Sequence, residues 1–299
     1  MSIPALERPV LVGGTGRSGT TIAARTLNHH RELVLTRVRE LRFITGKGGL
    51  IESLGSKLAD GVPEDPDPIG FADRLRGRFF RWKKPSGISE GLHRIIEQSD
   101  LDAAVDVFLN DFDEDPVAAA RELVASIINR AMSTRPDCRW VDSTPSNVTY
   151  ARSLHALLPH AQVIHMMRDG RDVAVSFARK NFGPDDPRAA LDLWGERMLR
   201  ALEQEKGLPP GVVLRVDLAD WVGPESESSL RAVCDFLRLG TDDRLKAWFR
   251  SHVTADAMHS GRWRQDLSAR RARALTSRYE DWCAVLQQRF PEVTLPRST

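Results

Sequence analysis

The sequence predicts an α/β fold of three layers, in which helices cover both faces of a central parallel sheet. Short apolar runs alternate with helical segments along most of the 299 residues, a pattern typical of buried parallel strands. The first run, residues 9–12, leads into a glycine-rich turn and then directly into a helix. Since neither an internal repeat nor a flexible linker divides the chain, we expect a single domain over residues 1–299.

The individual elements are predicted in chain order from apolar runs, capping residues and turn residues. We expect strands at residues 9–12, 32–35, 139–142, 162–167 and 212–216. We expect helices at residues 20–30, 116–132, 148–158, from 171 onward, and at 188–206, 224–237, 242–250 and 268–289. Glycines and prolines interrupt residues 46–115, so this mainly helical or irregular insertion is predicted to hold loops and short helices without a sheet.

Charge, cysteine content and hydropathy limit the partners and location that we expect. The formal net charge is only +2, without the concentrated basic footprint of a protein that binds nucleic acid. Cys138, Cys234 and Cys283 lie far apart and lack metal-site spacing, so we expect reduced, mostly buried thiols. No secretory leader is evident, nor an apolar run of the ~18 residues that span a membrane. These features predict a cytoplasmic protein without an integral membrane segment.

The turn after the first strand has the spacing of a Walker A phosphate loop from Gly14 to Gly19. Its glycines allow successive backbone N–H groups to face a phosphate, and the helix start adds partial positive charge. Thr20 stands in the lysine position, Thr21 supplies the usual hydroxyl, and the loop carries its cation as Arg17. Such a loop is suited to a phosphate but poorly equipped for the triphosphate of a Mg-nucleotide.

A second anion site is predicted at the end of the strand at residues 162–167. Arg168 follows that strand, and Ser176 comes eight positions later in the next helix. A guanidinium offers a planar fork to a phosphate, and a hydroxyl adds a further hydrogen bond. In parallel sheets ligands bind at the carboxyl ends of the strands, so both motifs should meet at one edge.

Taken together, the two motifs resemble those of sulfotransferases that use 3′-phosphoadenosine 5′-phosphosulfate (PAPS). The resemblance implies that the first motif binds the 5′-phosphosulfate, in the arginine form found in protein-tyrosine sulfotransferases. This motif comprises Gly16, Arg17, Ser18, Gly19, Thr20 and Thr21. It also implies that Arg168 and Ser176 bind the 3′-phosphate, with PAP as the product and no metal required.

A third segment resembles the late loop that closes over the 3′-phosphate in many members of this family. On this basis we predict nucleotide contacts from Gly261, Arg262, Trp263 and Arg264, with a basic surface turn around a core tryptophan as the alternative. Two positions depart from the family pattern. Val216 replaces a tyrosine that helps to hold adenine, and Ser143 replaces a lysine before the Thr-Pro turn.

Glu40 is the predicted general base. It follows a short predicted strand, which should place it near the glycine turn. The segment also resembles the region that holds the catalytic glutamate in protein-tyrosine and heparan glucosamine 3-O sulfotransferases. The alternative is an exposed glutamate paired with Arg37 or Arg39. His29 and His30 are predicted to interact with a helix C-terminus, and His165 to be a buried, satisfied side chain.

A basic segment interleaved with aromatic residues lies inside the insertion. It comprises Arg74, Arg76, Arg78, Phe79, Phe80, Arg81, Trp82, Lys83 and Lys84. It is either a mouth for an anionic or aromatic acceptor or a solvated helix face with core aromatics. We expect residues 46–115 to shape the acceptor pocket, because irregular segments often carry specificity.

The resemblance implies transfer of a sulfuryl group from PAPS to a hydroxyl or amine of a small-molecule, glycan or lipid acceptor. Arg17 and Glu40 would be the catalytic residues of this reaction. Two alternatives remain open at this point: a P-loop kinase or NTPase that lacks its lysine, and a nucleotide-binding regulator without turnover. Neither the acceptor nor the oligomeric state is predicted by the sequence.

Overall fold

The computed structural model describes residues 6–58, 65–83, 87–180, 183–240 and 242–296. Its strands are β1 (Val10–Gly14), β2 (Leu33–Leu35), β3 (Trp82–Lys83), β4 (Ser89–Glu90), β5 (Arg139–Asp142), β6 (Gln162–Met167) and β7 (Val213–Asp217). Five of them form a parallel sheet in the order β2-β5-β1-β6-β7. Because β1 is central in the sheet, the glycine turn that follows it lies at the middle of the carboxyl edge.

Fifteen α-helices surround the strands in the described part of the chain. They are α1 (Thr20–Leu27), α2 (Arg42–Thr45), α3 (Leu50–Leu54), α4 (Pro68–Arg74), α5 (Gln98–Asp111), α6 (Pro116–Ala131), α7 (Ala151–Leu157), α8 (Gly170–Ala178), α9 (Pro187–Glu205), α10 (Leu218–Val222), α11 (Ser226–Leu237), α12 (Asp243–His252), α13 (Ala255–Met258), α14 (Trp263–Asp266) and α15 (Ala269–Arg289). No described helix has both the length and the apolar character needed to cross a bilayer.

The core lies on both faces of the central sheet, since successive side chains of a strand point to opposite sides. Leu11 of β1 packs in a cluster with residues of α2–α7. Val10 and Val12 of the same strand pack instead with α1 and α10–α12. A third cluster joins α8, α9 and α15. The three-layer α/β class predicted from the alternating pattern is therefore confirmed.

Most predicted elements lie within two or three residues of their observed bounds, and the strands β5 and β6 match them fully. The helix predicted from Pro116 begins there because Asp115 caps it, accepting hydrogen bonds from the N–H groups of Val117 and Ala118. The helix predicted at 148–158 starts later, at Ala151, because a 3-10 helix occupies Pro145–Tyr150.

Two expectations were wrong. Residues 46–115 do contain a sheet, since β3 and β4 pair in antiparallel fashion, with Trp82 opposite Glu90. Each strand has only two residues, too few to produce a periodic pattern. The cysteines are free, as expected, but half-buried instead of mostly buried.

Candidate active site

The glycine turn connects β1 to α1 and has a backbone that demands glycine at two positions. Gly16 has φ 86° and Gly19 has φ 92°, in the left-handed region. A Cβ atom on Gly19 would also lie 2.8 Å from Cδ1 of Leu218. Arg17, between them, has φ 56° although it is not a glycine. The turn is therefore held in a strained, specific conformation of the kind that clusters at functional sites.

The two predicted anion sites meet at this turn. Arg17 Nε donates a hydrogen bond to Ser176 Oγ in α8 at 2.9 Å. Arg168 Nη1 donates to the carbonyl oxygen of Arg17 at 3.0 Å. Residues about 150 positions apart in the chain thus lie in direct contact. The guanidinium of the second site therefore reaches the backbone of the residue that carries the cation of the first.

The guanidinium of Arg168 is oriented by backbone carbonyl oxygens and by the carboxylate of Asp172. Its Nη2 donates to the carbonyl oxygen of His259 at 2.9 Å and lies 3.8 Å from Asp172 Oδ2. Burial lowers the pKa of Arg168, although Asp172 opposes the shift. A bound anion would favour the charged guanidinium further, so this position is electrostatically suited to a phosphate.

The loop at residues 259–263 is tied to α8 by Asp172. This carboxylate accepts hydrogen bonds from the N–H groups of Gly261 (2.8 Å) and Trp263 (3.2 Å). Burial raises the pKa of Asp172, although Arg168 and the two backbone donors oppose the shift. Asp172 is therefore a positioning residue that links the third sequence motif to the arginine of the second.

The third motif divides between the cleft and the core. Arg262 lines the cleft and lies 3.4 Å from Asp266 Oδ2. Trp263 is only 6% exposed, with the guanidinium of Arg171 4.2 Å from its ring centre. Gly261, Trp263 and Arg264 do not line the cleft. The core tryptophan of the alternative interpretation is present, and of the four predicted residues the structure brings Arg262 to the cleft.

A cleft of about 910 Å³ lies at the carboxyl edge of the sheet. The turn residues Gly16, Arg17, Gly19, Thr20 and Thr21 line it, together with Arg168, Ser176 and Glu40. Ser18 is fully buried and does not line it, so its hydroxyl does not face the cleft. Further cations line the cleft, namely Arg25, Arg42, Lys47, Arg179, Lys180, Arg197 and Arg200. Cationic side chains outnumber the acidic ones, which favours a ligand with several negative charges.

Glu40 lies in the segment between β2 and α2. Its Oε2 accepts hydrogen bonds from Arg42 Nε (2.8 Å) and Nη2 (2.5 Å). The glutamate is thus paired, but with Arg42, whereas the alternative interpretation expected Arg37 or Arg39. The side chains of Glu40 and Arg42 are 31% and 52% exposed, and such partly exposed pairs contribute little stability. The carboxylate therefore remains available to a ligand in the cleft.

Asp142 holds the segment that carries Glu40. Its buried carboxylate accepts hydrogen bonds from Leu41 N and Asn147 Nδ2, both at 2.7 Å, and from the N–H and hydroxyl of Thr144. Burial raises the pKa of Asp142 to about 6, although these four donors oppose the shift. Because Leu41 follows Glu40 directly, Asp142 positions the predicted base.

A second cavity of about 540 Å³ adjoins the cleft. Thr21, Glu40, Arg42, Gly46 and Lys47 line both spaces. The second cavity extends between the segment at residues 37–43 and the hairpin of β3 and β4, where Phe79 and Trp82 line it. Glu40 therefore stands where the two spaces meet.

A model of the sulfotransferase family matches residues 9–243. The chain belongs to the sulfotransferase family. The match includes the glycine turn, Glu40, Arg168 and Ser176, and it stops before the loop at residues 259–263. Family and fold together support sulfuryl transfer as the general reaction.

Sulfotransferases of known structure share this fold. The sulfotransferase domain from the olefin synthase of Synechococcus PCC 7002 is 19% identical, with a TM-score of 0.53, and the alignment covers 93% of this chain and 96% of that domain. The sulfotransferase domain from the curacin biosynthetic pathway is 17% identical, with a TM-score of 0.54. The alignment covers 97% of this chain and 99% of that domain. A sulfotransferase from Mycobacterium avium is 15% identical, with a TM-score of 0.51. The alignment covers 98% of this chain and 78% of that protein. At these identities the likeness concerns the fold alone.

A curated relative is an uncharacterized protein of Aquifex aeolicus (strain VF5), which is 26% identical over 252 residues. The aligned part is 82% of this chain but 27% of the relative. The chain therefore spans about a quarter of the length of that relative.

Two features of the cleft were not predicted from the sequence. Arg197 of α9 donates from Nη1 to the carbonyl oxygen of Thr15 at 2.8 Å, and burial lowers its pKa. An arginine within a long amphipathic helix gives no local signal of such a role. Ile22 and Leu218 supply apolar surface to the cleft, whereas Val216 is buried in the core. Leu218 is thus the cleft-lining residue of the segment in which the family tyrosine was expected.

The three histidines considered in the sequence line neither the cleft nor the second cavity. His29 stacks on Trp248 with ring centres 4.6 Å apart, and His30 Nε2 bonds the carbonyl oxygen of Gly240 at 3.1 Å. His165 is buried, and its Nδ1 bonds Glu205 at 2.5 Å, although its Nε2 has no hydrogen-bond partner among the described residues. Across residues 6–296, leaving out the undescribed gaps, no group of three or more His, Cys, Asp or Glu side chains is placed to hold a metal ion.

Proposed function

We propose that this sulfotransferase transfers a sulfuryl group from PAPS to a hydroxyl or amine of a small-molecule, glycan or lipid acceptor. One observation carries the donor assignment: Arg168 touches the glycine turn, while Ser176 bonds the arginine within that turn. Two cationic groups brought together at one turn suit a donor that carries both a phosphosulfate and a 3′-phosphate. The cleft also has apolar surface, at Ile22 and Leu218, for an adenine ring.

The donor contacts follow from this placement. The N–H groups from Gly16 to Thr21, with the hydroxyls of Thr20 and Thr21, would hold the 5′-phosphosulfate. Arg168 and Ser176 would hold the 3′-phosphate, with Arg262 closing over it from the loop that Asp172 anchors. Gly261, Trp263 and Arg264 would support that loop. PAPS supplies the activated sulfuryl group, and PAP is the product.

The residues of the chain have distinct tasks in the reaction. Arg17 neutralises negative charge at the sulfuryl end of the cleft, as preorganised cations do for spread anionic charge. Glu40 accepts the proton of the attacking hydroxyl or amine at its carboxylate, since it faces both the cleft and the second cavity. Arg42 keeps this carboxylate oriented. No metal is needed in this scheme, because the transferred group carries a single negative charge.

Thermal unfolding with nucleotides tests the donor assignment. PAP without metal should raise the unfolding temperature, whereas Mg-ATP should not, because Thr20 stands where a triphosphate requires lysine. Protection by Mg-ATP alone would favour a kinase or NTPase and contradict the proposal. Protection by PAP together with no sulfuryl transfer from labelled PAPS across an acceptor screen would indicate a nucleotide-binding regulator.

A further inference from the structure

We infer that the acceptor of this enzyme carries an anionic group, such as a carboxylate, beside a flat apolar body, and that it binds in the second cavity. The inference rests on the sulfuryl-transfer function proposed above. The cavity volume of about 540 Å³ is within the range of small-molecule sites. Because the cavity meets the cleft at Glu40 and Thr21, a ligand there would present its nucleophile to the glycine turn.

The second cavity has an excess of positive charge. Its cationic lining residues are Arg37, Arg39, Arg42, Lys47, Arg78 and Arg94, against the acidic residues Glu40 and Glu90. Both acidic side chains are already paired within the protein. Glu40 bonds Arg42, and Glu90 Oε2 lies 2.7 Å from Arg94 Nη1. The other four cations are left without a carboxylate partner among the described residues.

Three of these four cations, Arg37, Arg39 and Lys47, have side chains without a partner in the described part of the protein. Val38 is buried in the core, and Arg37 and Arg39 on either side of it are exposed. The side chains of Arg37, Arg39 and Lys47 form no hydrogen bond or ion pair with any residue that the structure describes. Like charges gathered around one cavity repel each other, and an anionic ligand would relieve that repulsion.

The opposite wall of the cavity is aromatic, and for this reason we infer that the ligand has a flat apolar body. Phe79 and Trp82 line it, and each carries a guanidinium against its ring. Arg78 Cζ lies 4.8 Å from the ring centre of Phe79, and Arg42 Cζ lies 5.4 Å from that of Trp82. Aromatic rings and stacked guanidinium groups present flat surfaces, which favour a planar ligand.

Only part of the basic segment at residues 74–84 therefore lines the second cavity. Arg78, Phe79 and Trp82 reach the cavity. Arg74 and Arg76 are instead paired with Asp67 and with Asp102 and Asp106. Phe80 is core, Arg81 and Lys83 do not line the cavity, and Lys84 lies outside the described residues.

A matched pair of fluorescent probes tests the inference. We compare the binding of 6-hydroxy-2-naphthoate and 6-hydroxy-2-naphthamide to the whole chain in the presence of saturating PAP. The carboxylate should bind at least about tenfold more tightly than the amide, because it forms charge-assisted contacts that the amide lacks. In the R37A/R39A variant this preference should fall to about twofold, while the affinity for PAP stays unchanged.

The control is R270A/R271A, which removes the same charge from exposed positions of α15 that line neither space. This variant should keep the full preference. Equal binding of the two probes, a preference that survives in R37A/R39A, or no binding of either probe while PAP binds would each overturn the inference. Failure of the wild-type chain to bind PAP would instead overturn the proposed function.

Discussion

The guanidinium of Arg168 touches the carbonyl oxygens of Arg17 and His259, and it is buried beside Asp172. The glycine turn and the loop at residues 259–263 are therefore coupled through one side chain. We propose that Arg168 contacts only nucleotides that carry a 3′-phosphate. The contribution of Arg168 to nucleotide affinity can therefore be separated from that of the glycine turn.

The R168E variant should bind PAP much more weakly than the wild-type protein does, whereas its affinity for adenosine 5′-phosphate should fall far less. Loss of one charge-assisted phosphate contact costs ~1.5–3 kcal/mol, and reversal of the charge adds repulsion to this loss. Calorimetric titration of both nucleotides measures the difference, with R270E on the exposed surface of α15 as the charge-matched control. Equal losses for the two nucleotides would show that Arg168 does not contact the 3′-phosphate.

Glu40 is tested by a change that keeps its size. E40Q should lower the rate of sulfuryl transfer by ~10²-fold or more while the affinity for PAP changes little, because the amide cannot accept the proton of the acceptor. The rate is measured with labelled PAPS and an acceptor found by screening. A rate equal to that of the wild-type protein would remove Glu40 from the role of base.

Three secondary structure elements are joined by a buried polar network. Glu205 of α9 bonds His165 Nδ1 of β6 at 2.5 Å and Arg215 Nε of β7 at 2.6 Å. The glutamate side chain is only 2% exposed. Burial alone would raise the pKa of Glu205, but His165 and Arg215 outweigh it and hold the pKa below its ordinary 4.5.

E205A should therefore lower the free energy of unfolding by ~3 kcal/mol at pH 7, the lower end for a broken buried pair, since Arg215 can reach water. A lowered pKa in the folded state contributes stability above the ordinary pKa and loses it in acid. The difference between the variant and the wild-type protein should thus shrink below pH 4.5. Urea unfolding across this range measures it, and a difference that grows in acid would contradict the assignment.

At the scale of the whole molecule, sheet order brings distant residues to one edge. Arg17, Asp142 and Arg168 follow or end three neighbouring strands, β1, β5 and β6. The segment that carries Glu40 leaves the adjacent edge strand β2 and returns to the same cleft. A parallel sheet places all these strand ends together, so the candidate site is built from residues more than a hundred positions apart.

Much of this arrangement was predictable from local patterns. The apolar runs of β1, β5 and β6, the glycine turn and the Arg168–Ser176 spacing each lie within a few residues, and all have the expected structure. The pairing of Glu40 with Arg42 was not predicted, because several arginines surround it in the sequence. The hairpin of β3 and β4 was missed, since two-residue strands have no period to detect.

The sequence by itself determined the class of fold and the place of the two predicted anion-binding motifs, because buried strands, a glycine turn and a spaced Arg-Ser pair are short-range features. Only the tertiary structure decided which of the many arginines line the cleft and the second cavity. Arg197 supports the glycine turn and Arg37 lines the second cavity, whereas Arg74 is paired with Asp67. The physical reason is that a charged side chain satisfies its solvation with water, a carboxylate or a ligand, and the choice depends on neighbours that the fold brings from elsewhere in the chain.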